Sequence, residues 1–328
     1  MAHELESLAN GATAFASARL SAWHRLGTIT ETTMTADEIM TKAFLGGWKV
    51  RKINLQGCEV TDDGVQFVDC PDKWMTVRTN IVTGETEYLG VVGDEYTVVQ
   101  NEEAAAMLDV LVDAAGGAHF ETAGSLRRGK SVFVTMKLPE TMTIAGVDRL
   151  DLYLAATTAH DGTQALRVDA TPIRVVCANT QRAALEQTKG FYVFRHTSGI
   201  RSQISQAREA MGLMWRYLDD FQAAAERMIN EIQTMGEFEK IIADLWPLAD
   251  DASDQTKQRA RQRTATLRYL VRDADTQAAI KGTKYGSYQA IAEYIDHYVP
   301  GNELTRAARA VAGPTAEIKA RAFELLAV

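Results

Sequence analysis

Several things are scarce in this 328-residue chain, and each scarcity excludes something. Three cysteines (Cys58, Cys70 and Cys177) are too few for a disulfide framework, so a reducing, cytoplasmic setting is expected. No uncharged apolar run approaches the roughly 18 residues a membrane helix needs, so no membrane partner is expected. The first ten residues, MAHELESLAN, carry acids where an export signal carries bases. No Gly-x-Gly-x-x-Gly follows a strand, and the one Gly-x-x-x-x-Gly-Lys-Ser match, Gly124–Ser131, falls between two strand-like runs rather than before a helix, which disfavours nucleotide hydrolysis on such a loop. Gly-x-Ser-x-Gly is missing too, so no nucleophile elbow is expected. What remains is ordinary for a soluble globular protein: 46% hydrophobic and 24% charged residues.

Charge is unevenly spread. The net value is −8, but residues 1–120 hold 8 bases against 18 acids, whereas residues 121–208 hold 12 bases against 7 acids. A basic middle in an acidic chain suits a face built for a polyanion, although an excess of this size also arises by chance. A sharper cluster runs from Gln255 to Arg272, with six bases and no acid. Like charges at helical spacing cost stability, so phosphates or acids on a neighbouring element should compensate them.

The pattern along the chain predicts an α+β fold. Thr35 caps a short helix from Ala36, and Gly46-Gly47 ends it. Met75–Val82, Glu87–Val92 and Tyr96–Gln100 read as an antiparallel meander. Asn101 caps a helix with apolar Ala104, Leu108, Leu111, Val112 and Ala115 on one stripe. Phe120–Leu126 and Ser131–Leu138 form a hairpin with a basic tip, Arg127-Arg128-Gly129-Lys130. Leu150–Thr158 alternates with period two, and Ala165–Cys177 follows the turn at His160-Asp161-Gly162. A helix is expected over about 179–188. The C-terminal third reads as helical. Its longest helix, from about Ser198, places Ile200, Ile204, Ala207, Met211, Met214, Leu218, Phe221, Ala225, Met228 and Ile232 at alternating spacings of four and three. Such a seam wants a partner helix, from this chain or from another subunit.

Few constellations suggest bond-making chemistry. His160 has only Asp151 and Asp169 near it in the pattern, and Asp-Gly at a turn is explained by its backbone, so no metal is expected. Cys177 ends an apolar strand, where cysteines are usually inert. The basic residues are more suggestive. Arg127, Arg128 and Lys130 share a hairpin tip; Arg167, Arg174 and Arg182 lie on a strand and the helix after it; Lys189, Arg195 and Arg201 follow. Tyr192 sits among them beside Phe191 and Phe194, in the interleaving of bases and aromatics that single-strand binding uses. The alternative reading makes the aromatics core and the bases solvated tips.

A resemblance rests on Trp23-His24-x-Leu26-Gly27, Val92-Gly93-x-x-Tyr96-x-Val98-x-Gln100-Asn101, His160-Asp161-Gly162, the run Ile173–Thr180 and Gly282-Thr283-x-x-Gly286-x-Tyr288-x-Ala290-x-x-Glu293-Tyr294-x-Asp296-His297. The chain resembles the phage/plasmid-like protein family long labelled only a domain of unknown function (family 932). That resemblance implies a mobile-element origin and no known reaction. More loosely, the order helix, strands, helix over 101–188 resembles the core of ATP-independent single-strand annealing recombinases, which bind single-stranded DNA and assemble into rings or filaments. The acidic N-terminal third and the heptad helix have no counterpart in that comparison.

Together these readings give an α+β protein: an antiparallel sheet with helices in residues 1–195, then an all-helical domain over 196–328. The expected function is ATP-independent binding or annealing of single-stranded DNA in phage or plasmid recombination or replication. No enzyme activity, cofactor or metal is expected. Arg127, Arg128, Lys130, Arg167, Arg174 and Arg182 would contact phosphates and Tyr192 would stack a base. A homo-oligomer in the host cytoplasm is expected, with a host or phage protein as a further partner. The competing reading is an accessory protein that self-assembles or binds a host protein through its helical part.

Overall fold

The computed structural model describes residues 5–18, 27–30, 32–62, 64–115, 118–174, 190–194, 200–299 and 314–327. Two sheets come first in the chain. One contains β3 (Arg51–Thr61), β4 (Gly64–Thr79) and β5 (Thr86–Gly93) as an antiparallel meander. The other is built from β1 (Phe15–Ser17), β2 (Thr28–Ile29), β6 (His119–Leu126), β7 (Ser131–Ile144), β8 (Asp148–Ala159), β9 (Arg167–Arg174) and β10 (Phe191–Val193), in the order β10-β9-β8-β7-β6-β1-β2. Strand β1 is antiparallel to β6 and parallel to β2. Helices α1 (Ala36–Lys42) and α2 (Asn101–Ala115) interrupt the strands. From Ile200 onward every helix or strand among the described residues is helical: α3 (Ile200–Ile229), α4 (Met235–Leu245), α5 (Asp254–Arg272), a short 3-10 turn, α6 (Lys284–Glu293) running into a π-turn over Tyr294–Tyr298, and α7 (Pro314–Ala327). The fold is thus α+β, with antiparallel sheets and most of the helices in the C-terminal half.

Two compact units interleave along the chain. The first comprises Met1–Lys137, Leu154–Asp169 and Tyr192–Ala210; the second comprises Leu138–Tyr153, Ala170–Phe191 and Met211–Val328. In the first unit, the hairpin β6–β7 pairs Gly124 with Phe133 and Leu126 with Ser131. Helix α1 opens with a capping box: Glu38 N donates to Thr35 Oγ1, and Thr35 N donates to the Glu38 carboxylate. Its inner face, Ile39 and Met40, is buried. In the second unit, Phe323 of α7 stacks on Phe221 at 5.2 Å and meets Tyr288 edge-on at 5.1 Å. Lys319 donates to Asp296 at 2.5 Å, a buried pair, and Tyr285 Oη donates to Asp148 at 3.0 Å.

Several expectations need correction. Tyr96–Gln100 is not a strand. Its side chains bond outward instead: Tyr96 Oη to the Ala159 carbonyl and the Gln100 amide to both backbone groups of Val50. Asn101 does not cap α2; it is the first helical residue and its amide is used elsewhere. Helix α1 stops at Lys42, before Gly46-Gly47. Strand β8 is buried on both faces, so its Leu/Asp alternation does not mark a wet side. Strand β9 is described over Arg167–Arg174, and the rest of the strand expected to Cys177 lies outside the described residues. The helix expected over about 179–188 lies outside the described residues, as do Trp23, His24, Cys177 and Arg182. The heptad row is real. From Ala207 through Met211, Met214, Leu218, Phe221, Ala225 and Met228 it is buried by this chain itself, while Ile232, past the end of α3, is 84% exposed.

Candidate functional site

The β6–β7 turn joins strands of the first unit and carries the densest group of expected contact residues. Arg127, Arg128 and Gly129 are three successive left-handed residues, with φ of 53°, 59° and 81°. For each arginine this conformation costs on the order of 1–2 kcal/mol, so the surroundings must impose it. They do so at three points. Gly129 lies on the Arg78 guanidinium, where a Cβ would come within 2.5 Å of Nη1. The Lys130 carbonyl accepts from the His160 amide at 2.8 Å. Arg127 lies 3.6 Å from Asp161 and reaches Thr163 Oγ1 at 3.5 Å. The result is a turn that presents Arg127 and Arg128 to solvent, with Lys130 half-buried over the Tyr88 ring at 5.3 Å.

Beneath the turn is a buried ion-pair cluster. Arg78 is 3% exposed. Its Nη1 donates to Glu6 Oε2 at 2.9 Å, its Nη2 contacts Glu6 Oε1, and its Nε and Nη2 donate to Glu87 Oε2 at 2.9 and 2.7 Å. Its guanidinium lies 4.1 Å above the Trp48 ring. Glu6 also accepts from Ser125 Oγ at 2.6 Å, and Glu87 from the Asn80 amide at 2.7 Å. Burial works against the arginine's charge, but the two carboxylates outweigh it and raise its pKa. For Glu87 burial pushes the pKa up; the bonds from Asn80 and Arg78 win and leave it lowered.

His160 is fully buried beside Trp48, with ring centroids 5.8 Å apart. Its Nε2 is 2.9 Å from Asn101 Oδ1. Asn101 Nδ2 donates to the Leu45 carbonyl, which leaves Oδ1 to accept, so Nε2 carries the imidazole proton. Nδ1 has no hydrogen-bond partner among the described residues. Burial, aided by the charge of Arg78, lowers the His160 pKa to about 4, so the ring is neutral at pH 7. Neighbouring Tyr96 is pushed up to about 12 by burial and by Asp161.

Two predictions arise here. An unfolded histidine titrates near 6.5 and the folded His160 near 4, so between those values the unfolded chain binds the extra proton. Stability should therefore be complete above pH 6.5 and fall as the pH drops toward 4, by about 3 kcal/mol in all. Urea midpoints across this range, compared with His160→Gln, should show the wild type losing more; parallel profiles would contradict it. The second concerns Gly90 on β5. A Cβ there would lie 2.6 Å from the Asp161 Cα, a distance that side chains do not reach. Gly90→Ala must displace the His160-Asp161-Gly162 turn and should cost about 1–3 kcal/mol, read from the same midpoints.

The expected contact residues divide in three. Arg127, Arg128 and Lys130 share the turn. Arg167, on β9, is bound to Asp169 two residues on, with Nη2 donating at 2.5 Å, so its charge is matched locally. Tyr192, on β10, donates to Glu209 at 3.1 Å and meets Phe194 edge-on at 5.0 Å. The Arg174 side chain and all of Arg182 lie outside the described residues. Sequence reasoning missed Arg78, Glu6, Glu87 and Trp48. One arginine inside an apolar strand run (Trp74-Met75-Thr76-Val77-Arg78) was the available signal.

These features define a class: an α+β protein whose first unit holds a strained basic turn on a buried Arg–Glu cluster. The chain belongs to the family described as Domain of unknown function (DUF932), whose model matches residues 88–322. Neither the curated proteins nor the solved structures contain a match to it.

Proposed function

We propose that this chain binds and anneals single-stranded DNA without ATP, in the recombination or replication of a phage or plasmid, and that it is not an enzyme. One observation carries the reading: two consecutive arginines are exposed at φ values that only a rigid support makes tolerable. Backbone strain at an exposed basic turn makes sense when the turn's shape is used, and two neighbouring guanidiniums suit successive phosphates. The basic stretch 121–208, in which the turn lies, favours the same ligand. The order of elements over 101–174, a helix followed by strands, supports annealing only by analogy. Arg127, Arg128 and Lys130 are the primary contacts. Arg167 and Tyr192 contribute after exchanging Asp169 and Glu209 for the ligand, and Arg174 and Arg182 are further phosphate contacts in this reading.

Annealing is tested with two complementary strands carrying a fluorescent donor and acceptor, mixed with the protein in nucleotide-free buffer. Faster pairing than in buffer alone is expected. Strands that bind yet pair no faster would reduce the function to binding, and strands that do not bind would end this reading.

A further inference from the structure

The β3–β4 hairpin is the most exposed apolar feature of the first unit. Strand β5 covers β4 only over Lys73–Thr79. Further out, Gln56–Thr61 pairs with Gly64–Asp69 as a ribbon with no third strand among the described residues. Two strands alone are marginal in water. Side chains alternate in facing along each strand, so the pairs Cys58–Phe67 and Val60–Val65 lie on one face. That face is exposed: Val60 79%, Phe67 67% and Val65 55%. A contiguous apolar surface of this kind marks an interaction site.

Charge selects the occupant. Residues 55–72 hold five acids and no base, so phosphate is repelled. The complementary surface is in the second unit. A groove of about 430 Å³ along α5 has Leu248, Ala260 and Ala265 as its apolar part and Lys257, Arg261 and Arg268 as its basic part. Arg268 is paired with Glu239. Lys257, Arg259, Arg261 and Arg272 have no acid within 4 Å among the described residues. The like-charge cost along α5 is therefore left uncompensated within the described chain.

We propose that the β3–β4 arm of one copy docks its Phe67–Val60–Val65 face in the α5 groove of a second copy, with Asp62 and Asp69 set against Lys257 and Arg261. This goes beyond the DNA reading and does not depend on it. Arm and groove are different patches, so the contact either exchanges across a two-fold axis or repeats head to tail into a ring or filament.

Sedimentation velocity of the full chain over a concentration series tests it. The wild type should sediment above its 36.1 kDa monomer mass, and less so in high salt. Phe67→Ser alters an exposed side chain and should weaken association at least about tenfold without changing the unfolding midpoint. Asp62→Lys with Asp69→Lys should weaken it similarly, as should Lys257→Glu with Arg261→Glu; all four together should restore it. A wild type that stays monomeric overturns the proposal, as does association insensitive to Phe67→Ser or a charge swap that fails to rescue. If the groove variants lower DNA affinity while the mass is unchanged, the groove takes nucleic acid instead and the proposal fails.

Discussion

Replacing Arg78 by methionine should lower the unfolding free energy by about 3–5 kcal/mol, the usual cost of removing one partner of a buried ion pair. Methionine matches the arginine stem in length, so little volume is lost. What is lost is the cation between Glu6, 7% exposed, and Glu87. Among the described residues Glu6 would keep only Ser125 as a side-chain donor, and its buried charge would be left without a cation. The Trp48 face would lose its guanidinium as well. One observable separates this account from a general packing defect. Adding Glu6→Gln to Arg78→Met should recover part of the loss, because the orphaned charge goes with it. A single-variant loss below about 1 kcal/mol would place Arg78 among ordinary surface ion pairs and contradict the role assigned to it.

The second large effect is on the ligand. Arg127→Ala, Arg128→Ala and Lys130→Ala together should leave stability unchanged or slightly raised, since all three are exposed or half-buried. They should weaken single-strand binding and flatten its salt dependence. Each phosphate contact on a single strand contributes about 0.7 to the slope of log K against log salt, so three lost contacts remove about 2. Asp161→Asn should act in the opposite sense, because Asp161 competes with phosphate for Arg127. If the triple variant kept the wild-type slope, the turn would not be part of the interface, whatever the affinity. The two experiments are linked through Gly129, which rests on Arg78. Arg78→Met should therefore weaken binding at temperatures where the protein is still folded, without lowering the slope by as much as the triple variant does.

Local chemistry made much of the architecture legible. Thr35 and Glu38 spell a capping box, and α1 begins there. The strand-like runs flanking the basic tip Arg127–Lys130 gave the β6–β7 hairpin, and the four-three spacing gave α3. Expectations failed where a side chain's distant partner overrode its local preference. Asn101 looks like a cap, but His160, fifty-nine residues later, takes its amide oxygen. Tyr96–Gln100 has strand-forming residues, yet Gln100 is tied to Val50 and Tyr96 to Ala159 across separations that no local pattern encodes. The site was legible in outline and opaque in depth. Clustered charge exposed the turn, and the family motifs included Tyr96, Asn101 and His160, which the fold brings together. The Glu6–Arg78–Glu87 cluster was invisible, because Glu6 and Arg78 are seventy-two residues apart and Glu6 lies in a stretch with no repeating pattern.

The central claim is that a buried cluster holds a strained basic turn for single-stranded DNA. The most direct measurement is fluorescence anisotropy of a labelled single-stranded oligonucleotide titrated with the full chain at several salt concentrations, with the matching duplex as control. The account predicts tighter binding to the single strand and an affinity that falls steeply as salt rises. No binding at low salt, or equal affinity for single strand and duplex, would contradict it.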